Sequence, residues 1–213
     1  MDNRQARTEI MENRPTIPRS VAIIGCGGIG TWVAIINGMA GTKRFYLFDA
    51  DTVEEHNLNR LPFGDGAIGK SKTEVLKAFL ESMDNGVEVM TFGLVRDELD
   101  LEAIDDQAYV YICCDNRKTR EFVSKVAQKR GLYYVNAGYN ENSVSVYNGG
   151  KIWGSGPDAY ETTPTWAVPT FVVSALAVFK MSYGCERDLS FDLFQLFDRR
   201  DKGDPSGLGA LFG

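Results

Sequence analysis

Four groups of residues have types and spacings that could do chemistry. Gly25-x-Gly27-x-x-Gly30 follows the apolar run Val21–Ile24, and Asp49 closes a second apolar run. Arg60 and Lys72 flank a polar stretch that also holds Asp51, His56, Asn57 and Asn59. Asp115 follows the apolar segment YVYICC. Glycines between a strand and a helix suit a phosphate. Gly25 permits the tight turn, Gly27 lets a ligand approach the backbone, and Gly30 lets helix and strand pack closely. Gly28 lies in the same turn. The helix beyond offers unpaired N–H groups and a partial positive charge. Asp49 can accept hydrogen bonds from ribose hydroxyls. These features imply binding of an adenosine-containing nucleotide, with NAD, FAD and ATP all open.

The segment after Asp49 separates these ligands. A dinucleotide has no need of several cations close to its pyrophosphate. A triphosphate does, because its charge must be neutralised as pyrophosphate departs. Arg60 can grip two phosphate oxygens at once, and Lys72 acts as a compact point charge.

The elements that must position these groups follow from apolar patterning. Strands are expected at Val21–Ile24, Arg44–Phe48, Val87–Phe92, Ala108–Cys114, Leu132–Asn136 and Ser143–Tyr147. Helices are expected at Ile29–Ala40, Lys72–Ser82, Thr119–Arg130 and Thr170–Met181. The alternation implies an α/β fold, a Rossmann-like, doubly wound, mostly parallel sheet with helices on both faces. Residues 1–20 read as a short charged N-terminal helix or arm, ended by Pro15 and Pro18. Residues 21–185 read as one ATP-binding domain, and 186–213 as a C-terminal segment with a flexible Gly-rich tail.

Composition bounds the remaining classes. The 213 residues are 44% hydrophobic and 24% charged, with a net charge of −6 that argues against a nucleic-acid partner. No apolar run approaches the ~20 residues that cross a bilayer, and the polar N-terminus lacks a signal-peptide core. The chain is therefore expected to be cytoplasmic, with no membrane partner. The single histidine, His56, excludes chemistry that needs two. Without a C-x-x-C pair among Cys26, Cys113, Cys114 and Cys185, no zinc is expected. Cys113 and Cys114 end a buried strand and read as core thiols.

Taken together, GCGGIG, DADTVEEHNLNR, IGKSK and CCDN resemble the ThiF/MoeB/HesA family, adenylyltransferases related to ubiquitin-activating enzymes. The similarity runs from about Asn3 to about Lys180. It implies that Asp49 binds the ribose of ATP, that Asp51 structures the crossover, and that Asn57, Arg60 and Lys72 line the phosphate site. It also implies that Asp115 binds Mg²⁺. In the family an arginine of the partner subunit's N-terminal arm reaches the site. Asn3-Arg4-Gln5 resembles that arm, making Arg4 the candidate and Arg14 the second. The implied reaction is attack of a carboxylate on the α-phosphate of MgATP. That carboxylate is commonly the C-terminal glycine of a ubiquitin-like protein or peptide, and the expected assembly is a homodimer.

The chain also departs from the family. YETTPTWAVPTFVVSALAVF has no second-step cysteine, Cys185 lies beyond that helix, and Leu61 stands where a glutamine is common. An enzyme that stops at the adenylate is therefore expected. His56 reads as having no proton-transfer role. Tyr139, Tyr147, Trp153 and Trp166 read as packing, and the terminal Leu211-Phe212-Gly213 as a frayed end. Two other readings stay open, an NAD-dependent oxidoreductase and a non-catalytic binding subunit.

Overall fold

The computed structural model describes residues 5–83, 86–148 and 164–196. A seven-stranded sheet runs β3-β2-β1-β4-β5-β6-β7. Its strands are β1 (Ser20–Ile24), β2 (Arg44–Phe48), β3 (Glu88–Phe92), β4 (Tyr109–Ile112), β5 (Tyr134–Asn140), β6 (Ser143–Tyr147) and β7 (Leu189–Asp192). The first five in spatial order are parallel, whereas β6 and β7 join antiparallel. Every residue of β1 is buried, because helices cover both faces and leave no solvated side for polar residues to occupy.

The helices are α1 (Ala6–Glu9), α2 (Gly28–Ala40), α3 (Lys72–Met83), α4 (Arg117–Lys129) and α5 (Ala167–Ser182). The alternation of strand side chains divides the core. Val21, Ile23, Phe45, Leu47 and Tyr111 pack with residues of α2, α3 and α5. Ala22, Ile24, Phe48, Val110 and Ile112 pack with Val123 and Val126 of α4 on the other side. Ser174 ties α5 to α2 by donating to the Ile29 carbonyl at 3.1 Å. Gly41 ends α2 in the left-handed region at φ 114°, where its N–H reaches back to the Asn37 and Gly38 carbonyls.

The fold class is the one read from the sequence. Several boundaries differ: α5 begins at Ala167 rather than Thr170, β4 is confined to Tyr109–Ile112, and β5 begins at Tyr134 rather than Leu132. α4 begins at Arg117 rather than Thr119, because the Asn116 side chain accepts the Thr119 N–H and caps the helix two residues earlier. β5 runs on to Asn140, since it pairs with β6 along Asn136–Asn140. The arm holds a single helical turn. β7 was not anticipated, because LSFD carries little more than two apolar side chains and its pairing with β6 is what orders it. Trp153 and the Gly-rich tail lie outside the described residues. Among the described residues no helix is long and apolar enough to cross a membrane.

Ile23, fully buried between β2 and β4, is the natural probe of this core. Ile23→Ala is expected to lower unfolding free energy by about 2–5 kcal/mol, read from urea denaturation midpoints at unchanged slope.

Candidate functional site

The sheet changes winding direction between β1 and β4, and the loops leaving their carboxyl ends diverge there into a crevice. The loop after β1 is shaped by its glycines. Gly25 stands at φ 95° and donates its N–H to the Phe48 carbonyl at 2.8 Å. A Cβ there would lie 2.7 Å from the Cys114 nitrogen, so this glycine lets the β1 and β4 loops touch. A Cβ on Gly30 would sit 1.9 Å from the Gly25 carbonyl oxygen, whereas one on Gly27 would meet nothing within 4 Å. Gly27 thus leaves open space. Gly28 has a different duty: a Cβ on it would press on Arg60 at 3.1 Å and on Thr170 at 3.0 Å. The aliphatic stem of Arg60 lies directly over the start of α2.

Asp49, at the end of β2, joins the glycine loop to the crossover. One carboxylate oxygen accepts the Cys26 N–H at 2.7 Å and the other accepts the Asp51 N–H at 2.8 Å. Burial pushes its carboxyl above the usual range, opposed by the Asp51 N–H, Lys72 and the Cys26 N–H. Each oxygen keeps a further lone pair for a ligand hydroxyl.

The crossover is ordered by its own hydrogen bonds. Val53 donates to Lys70 and Gly69 donates back to Val53, both at 2.8 Å, while Thr52 and Ser71 form an antiparallel bridge. This clip delivers Lys72 to the first turn of α3. Lys72 is 12% exposed, and its ammonium meets the 70% exposed Asp51 carboxylate at 2.7 Å. Asn57 is buried and closes a capping box with Glu54, its side chain accepting the Glu54 N–H at 3.1 Å. Arg60 donates to the His56 carbonyl at 3.0 Å and to Asn59 at 2.9 Å, while Trp32 donates to the Arg60 carbonyl at 2.9 Å.

Asp115 is exposed just past the end of β4, beside Asn116, the cap of α4. Below it Arg120 is buried, its guanidinium donating to three backbone carbonyls.

Gly25, Gly27, Gly28, Asp49, Asp51, Asn57, Arg60, Lys72 and Asp115 all border one cavity of about 490 Å³. Gly30 stands behind it, buried at the turn. Arg4 lies outside the described residues. Arg14 is exposed next to Asn13, whose carbonyl accepts the Tyr183 hydroxyl, and so sits at the far end of α5. Cys185 is at that end too, separated from Thr165 on the cavity rim by the whole of α5, about 24 Å of helix. Arg120 was missed by sequence reasoning, although its signal was available. It shares the apolar face of α4 with Val123 and Ala127, where a surface arginine has no place.

The cavity rim mixes carboxylates (Asp49, Asp51, Glu54, Asp115) with the cations Arg60, Lys72 and Arg120. Cations that can turn to an anion from one wall, facing hard carboxylates on another, suit a phosphate that brings its own divalent metal. Among the described residues no three Asp, Glu, His or Cys side chains converge into a metal cage.

Residues 17–151 match the model of the ThiF family. Ubiquitin-like modifier-activating enzyme 5 of Drosophila erecta is 31% identical over 140 residues, 60% of this chain and 35% of that protein. The enzyme of the same name from Oryza sativa subsp. japonica is 29% identical over 140 residues, 59% and 33% respectively. The chain spans about a third of the length of these curated relatives. Among solved structures, E. coli MccB with ATP superposes at a TM-score of 0.67 with 24% identity, over 81% of this chain and 63% of that one. PaaA superposes at 0.64 with 20% identity, over 81% and 63%. These structures show the shared fold.

Burial pushes the Cys113 thiol up to about 12 and raises Cys26 and Cys114 as well. A thiol with so high a pKa carries almost no thiolate at pH 8. Iodoacetamide at pH 8 is therefore expected to modify Cys185 well before Cys26 or Cys113 in the native protein, with all four labelled alike in urea. Mass spectrometry of timed samples reads the order.

Proposed function

From a chain that belongs to the ThiF family, we propose an ATP- and Mg²⁺-dependent adenylyltransferase that activates the C-terminal carboxylate of a ubiquitin-like protein or peptide. The observation that carries this reading is the meeting of Arg60 and Lys72 with the glycine loop and Asp115 around one cavity. E. coli MccB, crystallised with ATP and with its peptide MccA, lends support, as do the ubiquitin-like modifier-activating enzymes.

In this reading the adenine lies along Phe48, Gly93, Leu94 and Val95, and the ribose hydroxyls donate to the remaining lone pairs of Asp49. The triphosphate runs over the open face of Gly27 toward the start of α2, where backbone N–H groups favour negative charge. The guanidinium of Arg60, held over Gly28, grips phosphate oxygens. Lys72 exchanges Asp51 for a phosphate oxygen, so one ion pair replaces another within a cavity already built for it. Asp115 would hold Mg²⁺, which would supply neutralisation of phosphate charge.

A carboxylate oxygen of the substrate then forms a bond to the α-phosphorus. The bond from that phosphorus to the bridging oxygen breaks, and pyrophosphate leaves with the electron pair. The products are the acyl-adenylate and pyrophosphate. No protein nucleophile is needed. Alignment and charge stabilisation supply the rate.

The described part of the arm is anchored far from its own cavity, Gln5 donating to the Met39 carbonyl at the end of α2. This supports a homodimer in which Arg4 serves the partner's site.

ATP–pyrophosphate exchange with small proteins and peptides ending in glycine tests the reaction. Arg60→Ala and Asp115→Ala are each expected to lower exchange about a hundredfold or more while the thermal midpoint stays within a few degrees. Full exchange in either variant removes that residue from the site, and NADH binding in place of ATP overturns the reading. Mixing Arg4→Ala with Asp115→Ala is expected to restore roughly a quarter of wild-type exchange, the share of sites that regain both groups in mixed dimers. No recovery on mixing excludes the arm acting across subunits.

A further inference from the structure

Arg120 is the bulkiest side chain of the fully buried set, at 1% exposure. Taking a guanidinium out of water is costly, and an apolar residue would fill the same core space without that cost. Its hydrogen bonds show what the charge accomplishes. Nη1 donates to the Ile112 carbonyl at 3.3 Å, and Nη2 donates to the Ala137 carbonyl at 2.8 Å. Nε donates to the Cys114 carbonyl. The first two bonds tie the end of β4 to β5. The third grips the carbonyl of the peptide that links Cys114 to Asp115, and a planar peptide held by its oxygen has its orientation set.

The opposite side of Cys114 is equally constrained. The space a Cβ of Gly25 would need is filled by the Cys114 nitrogen and Cα, at 2.7 and 2.8 Å. Cys114 is thus pinned between the glycine loop and the guanidinium, and the next residue is Asp115. Burial disfavours the charge on Arg120, and Cys114, Cys113 and the Asp115 carboxylate offset part of that cost. Lysine could not do this work, since a single ammonium has no fork to span three carbonyls.

We propose that Arg120 is a positioning residue: its fork locks the Cys114–Asp115 peptide against Gly25 and so holds the Asp115 carboxylate where the metal-bearing phosphates arrive. This rests on the reading of the cavity as a MgATP site.

The test uses the full chain with Arg120→Lys and Arg120→Met, following ATP binding by calorimetry across a magnesium series and pyrophosphate exchange in parallel. In variants that fold, the half-saturating magnesium concentration for ATP binding rises about tenfold or more. ATP binding in excess chelator changes by less than about twofold, since the ribose and glycine-loop contacts are intact. In an Asp115→Ala background the same substitutions produce no further magnesium effect. A lowered thermal midpoint with unchanged magnesium dependence reduces Arg120 to a core residue and overturns the proposal. Should both variants fail to fold, the guanidinium resonances of Arg120 are followed in the wild type by NMR. They shift on adding MgATP to the wild type and not to Asp115→Ala, and an unmoved resonance in the wild type overturns the proposal. A wild type that binds no ATP under any condition refutes the reading of the cavity itself. Tight ATP binding with a magnesium dependence indifferent to Arg120 refutes only the role of Arg120.

Discussion

The carboxylate of Asp49 is the constraint on which the cavity depends. Each of its oxygens takes one backbone N–H, from Cys26 in the glycine loop and from Asp51 in the crossover, so a single side chain sets the distance between two loops. Desolvation opposes its charge, and the two N–H groups with Lys72 offset that cost. The consequence is a pair of carboxylate oxygens fixed in place at the cavity wall before any ligand arrives. A preformed acceptor needs little ordering when the ligand binds, which leaves more of the contact energy for the phosphates.

The cations are arranged on a different principle. Lys72 is held by Asp51 and Arg60 by the His56 carbonyl and Asn59. An anionic ligand does not have to create order in free side chains. In the proposed reading it displaces internal partners that already hold these groups in place. The Thr52–Ser71 bridge makes this possible by returning the chain from the open crossover to the start of α3. Arg120 works from the opposite wall, where three carbonyls hold its charge beneath the loop of β4.

Much of this was legible in the residues. Local cues were strong where one physical requirement dominated. A fully buried strand reads as an unbroken apolar run, as Val21–Ile24 does, and glycines at a strand–helix junction announce a backbone that must come close to something. Asp49, Arg60 and Lys72 stood out because charged residues beside such junctions need a reason, whereas Asp115 was singled out by the resemblance of CCDN to the family pattern. What escaped detection depended on partners distant in the chain. β7 is defined by β6, and the extension of β5 comes from the same pairing. Arg120 looked like one more basic residue in RKTREF although it shares a helical face with Val123 and Ala127, and its carbonyl partners at Ile112 and Ala137 come only with the fold. Asn57 read as a phosphate-site residue, and its side chain also serves as the cap of the Glu55–Asn57 turn, a task that needs only short-range geometry.

The winding order has an outcome for the newly synthesised chain. β1 pairs with β2 soon after both emerge, but Val21 finds its other neighbour only when Tyr109 has been made, and the guanidinium of Arg120 reaches its last anchor only with Ala137. The nascent glycine loop therefore stays without its floor through much of translation, its apolar strand flanked on one side only. Contacts so distant in the chain slow folding, and an unpaired parallel edge at that stage invites association with other chains. The cavity is consequently a late feature in the life of each molecule, complete only after the two halves of the sheet have closed around their shared central strand.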